Sequence, residues 1–368
     1  MFITNVKIDG FRNLKNISLS PIPNINVLMG ENAQGKTNLL EALWISSGAK
    51  SFRNAKDKEM LGFSSQIATV EVTFQNKERE QKVLITLSPN TKERKILLNG
   101  VKMRSFSELI GKLQCVIFTP QDLDLTKGSP EIRRNYIDLC ISQIKPMYVK
   151  VISKYENILS QRNALLKNIV MGISKAEELD IWDDQLARQG AYISMLRKVY
   201  TDILYRHSAE LYNEISGGKE NLSLEYYSTV FENLENRTDY KDEMAREYFA
   251  KLKATQNDDI RLGYTQVGVH RDDISVKING ISVKDYGSQG QNRSAALCMK
   301  LGQAKALCSE IGEMPVILLD DVLSELDVNR KNFVLKQIND AQIFITCCEP
   351  IKIKAGVYKV KSGEIKGK

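Results

Sequence analysis

Gly30-Glu31-Asn32-Ala33-Gln34-Gly35-Lys36-Thr37 matches GxxxxGK[ST], and the residues on either side decide how it is read. Ile25-Asn26-Val27-Leu28-Met29 is a short, mostly apolar run, expected as a buried strand feeding the glycine turn. Asn38-Leu39-Leu40-Glu41-Ala42-Leu43-Trp44 is expected as the helix that follows. A strand, a glycine-rich loop and a helix in that order point backbone N–H groups at one place, at the positive end of a helix. A triphosphate suits that place. In this reading Gly30, Glu31, Asn32, Ala33, Gln34 and Gly35 form the cradle. Lys36 reaches the β- and γ-phosphate oxygens and the Thr37 hydroxyl ligates Mg²⁺, so a triphosphate with Mg²⁺ is the expected ligand.

Far along the chain, Val316-Ile317-Leu318-Leu319-Asp320-Asp321 is an apolar run closed by two carboxylates. It reads as a central parallel strand, buried on both faces, with its acids at the edge where open α/β sheets bind ligands. Asp320 is the candidate on the Mg²⁺ side and Asp321 the candidate to polarise an attacking water. Between the two motifs stands Tyr286-Gly287-Ser288-Gln289-Gly290-Gln291, before the helix-like stretch 294–302. Alone it is either a capped turn or a nucleotide-contacting loop, and Ser288 can cap the helix in both cases. Its position ahead of the acidic strand, with Ser324-Glu325-Leu326-Asp327 just after, follows the layout of ABC-type ATPases: Walker A, glutamine loop, signature, Walker B, D-loop.

More of the chain resembles one branch of those proteins. Phe11-Arg12-Asn13-Leu14, Lys50-Ser51-Phe52-Arg53, Asp57-Lys58-Glu59, Phe118-Thr119-Pro120-Gln121-Asp122-Leu123, Lys127-Gly128-Ser129-Pro130 and Arg133-Arg134 carry the resemblance in the first half. Val267-Gly268-Val269-His270-Arg271-Asp272-Asp273, the signature and Leu319-Asp320-Asp321-Val322-Leu323-Ser324-Glu325-Leu326-Asp327 carry it in the second. The chain is similar to the RecF family, the bacterial recombination mediators among the SMC/Rad50-like ATPases. The resemblance implies that Gln121 links Mg²⁺ and the γ-phosphate to a helical lobe. It also implies that Arg12 and Asn13 approach the nucleotide, and that Ser288, Gln289, Gly290 and Gln291 of one chain close over ATP held by another. Further implications are an ATP-dependent homodimer, binding to gapped duplex or single-strand/double-strand junctions, and RecR and RecO as partners that help load RecA.

Two departures from most ABC ATPases bear on rate: aspartate rather than glutamate at Asp321, and no histidine in Ile343-Phe344-Ile345-Thr346-Cys347-Cys348. Both fit slow hydrolysis, with ATP acting mainly as a conformational ligand. A Rad50-like motor coupled to a nuclease is the alternative enzyme. A transporter subunit is a third reading, against which the missing histidine, Asp321 and the SQGQ signature all count.

A net charge of +7, from 52 Lys and Arg against 45 Asp and Glu, points toward a polyanion. Basic residues recur at Lys50, Arg53, Lys56 and Lys58, at Lys127, Arg133 and Arg134, and along the tail at Lys352, Lys354, Lys359, Lys361, Lys366 and Lys368. Each group alone reads as a solvated face; with the family resemblance, contacts to phosphates become the expectation, and no base-reading motif is present. The six cysteines lack metal-ligand spacing, and no leader or apolar run of about 18 residues is visible, so a cytoplasmic protein with reduced thiols is expected. His270-Arg271-Asp272-Asp273 reads as a lobe-positioning network or, alternatively, as a component of the catalytic apparatus.

Periodicity completes the expectation of an α/β, Rad50-like ABC-type ATPase head. It would hold a P-loop sheet, an antiparallel β portion and an inserted helical lobe. The expected division is an N-terminal ATPase segment over 1–122, a helical lobe over 123–261 and a C-terminal ATPase segment over 262–368. Strands are expected over 2–8, 66–74, 82–87 and 113–118. Tyr148, Ile152, Tyr155, Leu159, Leu166 and Ile169, then Trp182, Leu186, Ile193, Leu196, Tyr200, Ile203, His207 and Leu211, follow 4-3 spacing. That spacing suits a short antiparallel coiled-coil-like hairpin or ordinary bundle helices. The first run spans about 33 Å at 1.5 Å per residue, too short to tether distant DNA molecules. The stretch 220–258 is polar enough to hold mobile loops.

Overall fold

The computed structural model describes residues 1–63, 65–88, 94–234, 242–350 and 354–366. Its organising element is a six-stranded sheet in the order Glu364–Lys366, Gly356–Lys361, Ile25–Met29, Ile343–Cys347, Val316–Leu319, Cys115–Phe118. The last five pair in parallel, and only the edge strand Glu364–Lys366 runs antiparallel to its neighbour. Every residue of Cys115–Phe118, Val316–Leu319 and Ile343–Cys347 is buried, which is why these strands read as unbroken apolar runs. Asn26 is the polar exception in the P-loop strand. Its Oδ1 accepts Ile22 N–H at 2.8 Å and its Nδ2 donates to Ile22 O at 2.8 Å, so its burial is compensated.

A second, antiparallel sheet runs in the order Ile17–Leu19, Phe2–Asp9, Ala68–Gln75, Glu80–Leu87, Lys95–Leu98, Val101–Met103. Burial alternates strictly along Ala68–Gln75, as expected of a sheet with one face on the core. Gln342 ties the two sheets together: its Oε1 accepts Ile3 N–H at 2.6 Å, and its Nε2 donates to Ile3 O and Ile22 O at 2.9 Å. The helix after the P-loop, Lys36–Ser46, is buried over nearly its whole circumference, so its sequence shows no polar stripe.

Contacts divide the described chain into two compact units, Met1–Asp122 with Leu297–Lys368, and Leu123–Ala296. The second division lies inside the helix Gln289–Ile311 rather than near 261, because Asp273–Ile278 pairs antiparallel with Leu222–Tyr227 and so belongs with the helical residues. Stretch 220–258, of which residues 235–241 lie outside the described residues, is not loop throughout. It holds the strand Leu222–Tyr227 and the helix Asp242–Ala254, whose polar composition conceals a buried face of Met244, Ala245, Tyr248 and Leu252.

The helices Tyr148–Val170 and Leu179–Ser216 form the long elements of the second unit. They run antiparallel: Arg162, late in the first, bonds Asp183, early in the second, while Tyr148 at the start of the first shares Asp138 with Arg197 of the second. Leu165, Leu166 and Leu179 pack where they meet, with Ile169, Trp182 and Ile260 around them. No described helix is long and apolar enough to cross a membrane.

Buried ion pairs, rather than apolar contact alone, set the register of this unit. Arg162 is fully buried, with Nε on Asp183 Oδ1 at 2.6 Å and Nη1 on Asp259 Oδ2 at 2.7 Å and Thr265 Oγ1 at 2.8 Å. Removing the guanidinium takes the ion-pair partner from Asp259 and leaves Asp183 with Lys253 Nζ at 3.5 Å, and breaking a buried pair in this way typically costs about 3–5 kcal/mol. Arg162→Leu is expected to lower the urea stability of the helical transition by that amount. A loss under about 1 kcal/mol would mean that water replaces the guanidinium there.

Candidate functional site

The P-loop leaves strand Ile25–Met29 and turns back into helix Lys36–Ser46 through left-handed backbone at Ala33 (φ 62°) and Gly35 (φ 115°). Glycine is required at Gly30 for a separate reason: a Cβ there would lie 2.3 Å from the Val360 carbonyl oxygen of the neighbouring strand. Glu31, Asn32 and Ala33 stay exposed, as a cradle open to a ligand must be. Lys36 is folded inward, its Nζ donating to Gly30 O at 2.5 Å and Glu31 O at 2.9 Å and lying 3.3 Å from Cys348 Sγ.

Parallel pairing brings the Walker B acids to the same edge. Thr37 Oγ1 donates to Asp320 Oδ1 at 2.8 Å across 283 positions of sequence. Burial pushes the Asp320 carboxyl above its usual range, and hydrogen bonds from Thr37 and Thr346 pull it back. Asp321 is exposed and left-handed (φ 56°), its Oδ1 accepting from Ser324 Oγ at 2.9 Å. Among the described residues no three His, Cys, Asp or Glu side chains cluster as a metal centre. The Thr37–Asp320 pair is a hard oxygen set of the sort that suits Mg²⁺, which takes one or two protein ligands and fills the remainder with water and phosphate oxygens.

The loop is braced from behind by three segments. Asn13 Nδ2 donates to Ala33 O at 3.3 Å, Asn38 Nδ2 donates to Asn13 Oδ1 at 2.8 Å, and Gly363 N donates to Gln34 O at 3.0 Å. Arg12, left-handed at φ 54°, is turned onto Glu41 in a two-pronged pair of 2.8 and 2.9 Å. Glu41 is fully buried, accepts Ser51 Oγ at 2.5 Å and has Arg53 Nη1 at 3.7 Å. Asn13 therefore touches the P-loop directly, whereas Arg12 reaches it through helix Lys36–Ser46. Gln121 is exposed on the short turn Pro120–Leu123 that continues strand Cys115–Phe118, next to Asp320, whose N–H donates to Phe118 O at 2.9 Å.

The signature lies in the other unit. Helix Gln289–Ile311 begins at Gln289, earlier than its composition suggests, with Ser288 as its cap. Gln291 N donates to Ser288 Oγ at 3.2 Å and Ser288 N donates to Gln291 Oε1 at 2.9 Å, a reciprocal capping box. Gln291 Nε2 donates to Glu220 at 2.8 Å. Buried Asn292 holds the carbonyls of Gly287 and Ser288 at 2.8 and 2.9 Å. Ser288 and Gln289 are exposed and Gly290 half-buried, so the tip of the loop is presented and its base is fixed.

One basic group changes its reading. Arg133 is buried and paired with Asp273 through two 2.8 Å bonds, and Arg134 donates to Asp272 O at 2.7 Å. Both are structural, which leaves Lys127 as the exposed member of that group. Lys50, Arg53, Lys56 and Lys58 are exposed, although Arg53 is also tethered to Asn38 Oδ1 at 2.7 Å. Lys352 and Lys368 lie outside the described residues. Sequence reasoning passed over Glu41, Thr346 and Asn292. Glu41 and Thr346 are polar residues inside otherwise apolar runs, which is the signal that could have found them; Asn292 lies among polar neighbours and carries no such signal.

His270 is committed on both sides. Its Nε2 is 3.0 Å from Thr265 O, which can only accept, so Nε2 carries the proton and Nδ1 accepts from Tyr155 OH at 2.8 Å. Asp272 accepts Thr229 N at 2.7 Å and Oγ1 at 2.8 Å as well as Tyr226 OH, and burial raises its carboxyl. This supports the positioning reading of the motif.

Comparison with known proteins agrees with these features. A family profile described as RecF/RecN/SMC N terminal domain matches residues 2–362. The DNA replication and repair protein RecF of Shouchella clausii is 38% identical over 375 residues, covering 100% of this chain and 99% of that protein. Its counterpart in Clostridium beijerinckii is 38% identical, covering 99% and 98%. A solved structure of the recombination mediator protein RecF with ATP, in the RecFOR pathway, superposes with a TM-score of 0.91 at 36% identity, over 99% of this chain and 97% of that one. An Smc head bound to the C-winged helix domain of ScpA gives 0.57 at 16% identity, a likeness of fold alone.

Burial lowers the His270 imidazole to about 4. A His whose folded value lies below its unfolded value of about 6.5 leaves stability unaffected above pH 6.5. Stability is lost as pH falls through 6.5 toward 4, because only the unfolded chain then binds the proton. The expected loss is about 3 kcal/mol across that window. His270→Gln should flatten this region of the urea-stability profile against pH; an unchanged slope would assign the dependence to other groups.

Proposed function

The chain belongs to the RecF/RecN/SMC N-terminal-domain family and has the ABC-type ATPase fold, and from that premise we propose that it is an ATP-gated DNA-binding protein of replication and recombinational repair. One observation carries the reading: the 2.8 Å contact between Thr37 and Asp320, which assembles a nucleotide and cation site from two motifs at opposite ends of the chain.

The backbone amides of the P-loop bind the triphosphate, and the Lys36 ammonium turns from the Gly30 and Glu31 carbonyls to phosphate oxygens. Thr37, Asp320 and Gln121 would hold Mg²⁺, which when bound would neutralise charge on the phosphates. Asp321, exposed and turned out of the sheet, orients a water. Its side chain is one methylene shorter than glutamate, which suits slow turnover and a switching role.

Ser288, Gln289, Gly290 and Gln291 of one chain close over ATP on a second, and the capping box keeps that loop shaped for the purpose. Exposed Lys50, Lys56, Lys58 and Lys127 supply phosphate contacts that read shape rather than sequence. The DNA expected is duplex beside a single-stranded gap. The solved relative's place in the RecFOR pathway supports RecR and RecO as partners and RecA loading as the outcome. A cytoplasmic location goes with this role.

On labelled gapped duplex, affinity should tighten about tenfold or more with ATP·Mg²⁺, and Lys36→Met should abolish the response. A variant that keeps the wild-type nucleotide response in both anisotropy and dimerisation would sink the proposal. Ser288→Arg should still bind ATP yet fail to dimerise by light scattering, because the signature acts in trans. Normal ATP-dependent dimers of that variant would rule out the composite site.

A further inference from the structure

Strand Ile343–Cys347 lies between the strand that feeds the P-loop and the strand that ends in Asp320. Its Thr346 is buried, and its single hydroxyl is committed in two directions. A backbone N–H can only donate, so Thr346 Oγ1 accepts from Asp321 N at 2.8 Å; a carboxylate accepts, so the same hydroxyl gives its proton to Asp320 Oδ1 at 3.0 Å. Asp320 Oδ1 already receives the Thr37 hydroxyl at 2.8 Å. One carboxylate oxygen is thereby clamped by two hydroxyls, Thr346 from the neighbouring strand and Thr37 from the helix after the P-loop, and the 320–321 peptide is clamped as well.

We propose that Thr346 is a positioning residue of the nucleotide site, holding Asp320 toward the cation and Asp321 in the left-handed turn that aims its side chain out of the sheet. The proposal rests on the nucleotide reading above. Three features argue for it over simple packing. The rest of Ile343–Cys347 other than Cys347 is hydrocarbon, and valine would fill the same volume, so the hydroxyl is not there to fill space. Asp321 holds φ 56° without being glycine, a conformation that persists only where neighbours over-determine it. And β-branching restricts Thr346 to few rotamers, so its hydroxyl is aimed before any ligand arrives. The histidine absent from this strand end is thus not replaced by an inert residue: the strand still senses the Walker B turn, through a neutral hydroxyl that does not titrate.

Thr346→Val removes both bonds at nearly constant volume, and Thr346→Ser restores the hydroxyl. Fluorescent ATP would be titrated into each full-length variant in EDTA, and Mg²⁺ then titrated at saturating nucleotide. Expected are equal ATP affinity in EDTA, a Mg²⁺ midpoint raised about tenfold or more in the valine variant, and a serine variant within about threefold of wild type. Tenfold is the effect of one hydrogen bond to a charged group. Single-turnover hydrolysis should fall in the same order, valine below serine. A valine variant with the wild-type Mg²⁺ midpoint overturns the proposal, as does a serine variant as defective as valine. If valine prevents folding, judged by circular dichroism, Thr346→Ala carries the same comparison. A wild-type protein whose nucleotide affinity ignores Mg²⁺ would instead overturn the nucleotide reading on which this one stands.

Discussion

Asp320 Oδ1 accepts hydrogen bonds from Thr37 and Thr346, and the arrangement of the first unit serves that junction. Strands Ile25–Met29, Ile343–Cys347 and Val316–Leu319 must lie side by side, parallel and in fixed register, for two hydroxyls and a carboxylate to meet at one edge. A parallel sheet needs long connections between its neighbours. The chain therefore places four of the six antiparallel strands and the whole second unit within those connections, and still returns its last strands to flank the first. Gln342, just before the middle strand, secures the same register from the other end by bonding Ile3 and Ile22.

Each unit by itself also relies on buried charge held in pairs. Glu41 is buried under Arg12 and Ser51, and Arg162, Arg133 and Arg197 are buried against Asp183, Asp273 and Asp138. Such pairs add little net stability compared with well-packed hydrocarbon, since desolvation offsets the attraction. Their effect is on specificity: a guanidinium fork accepts few geometries, so each pair selects one register of the helices or loops that it joins. For Glu41 this has a functional side. The loop of Arg12 and Asn13 and the loop of Ser51 and Arg53 are referred to the same helix that carries Lys36 and Thr37, so these basic residues and the end of the P-loop share one support.

Legibility varied with the range of the interaction. The P-loop and its flanks were readable because strand, turn and helix are local and the chemistry demands those residue types. The two long helices were readable from their 4-3 spacing. Arg133 was misread because a sequence shows charge but not burial, and its partner Asp273 is 140 positions away. Helix Asp242–Ala254 and strand Leu222–Tyr227 were not anticipated within the polar stretch 220–258, because their polar faces dominate its composition, while their apolar faces are few residues each. The division expected near 261 came from helical periodicity, which says nothing about the strand pairing that moves Asp273–Ile278 into the second unit.

By itself the sequence determined the kinds of element, the phosphate-cradling loop, the order of the nucleotide motifs and the family to which they point. These follow from backbone conformational preference and from residue chemistry over a few neighbouring positions. Only the tertiary structure decided that Thr37 meets Asp320, that Thr346 spans both Walker B residues, that Arg12 answers to Glu41, and which basic side chains remain exposed. Those outcomes depend on strand register and burial, where a shift of one residue would turn each side chain to the opposite face.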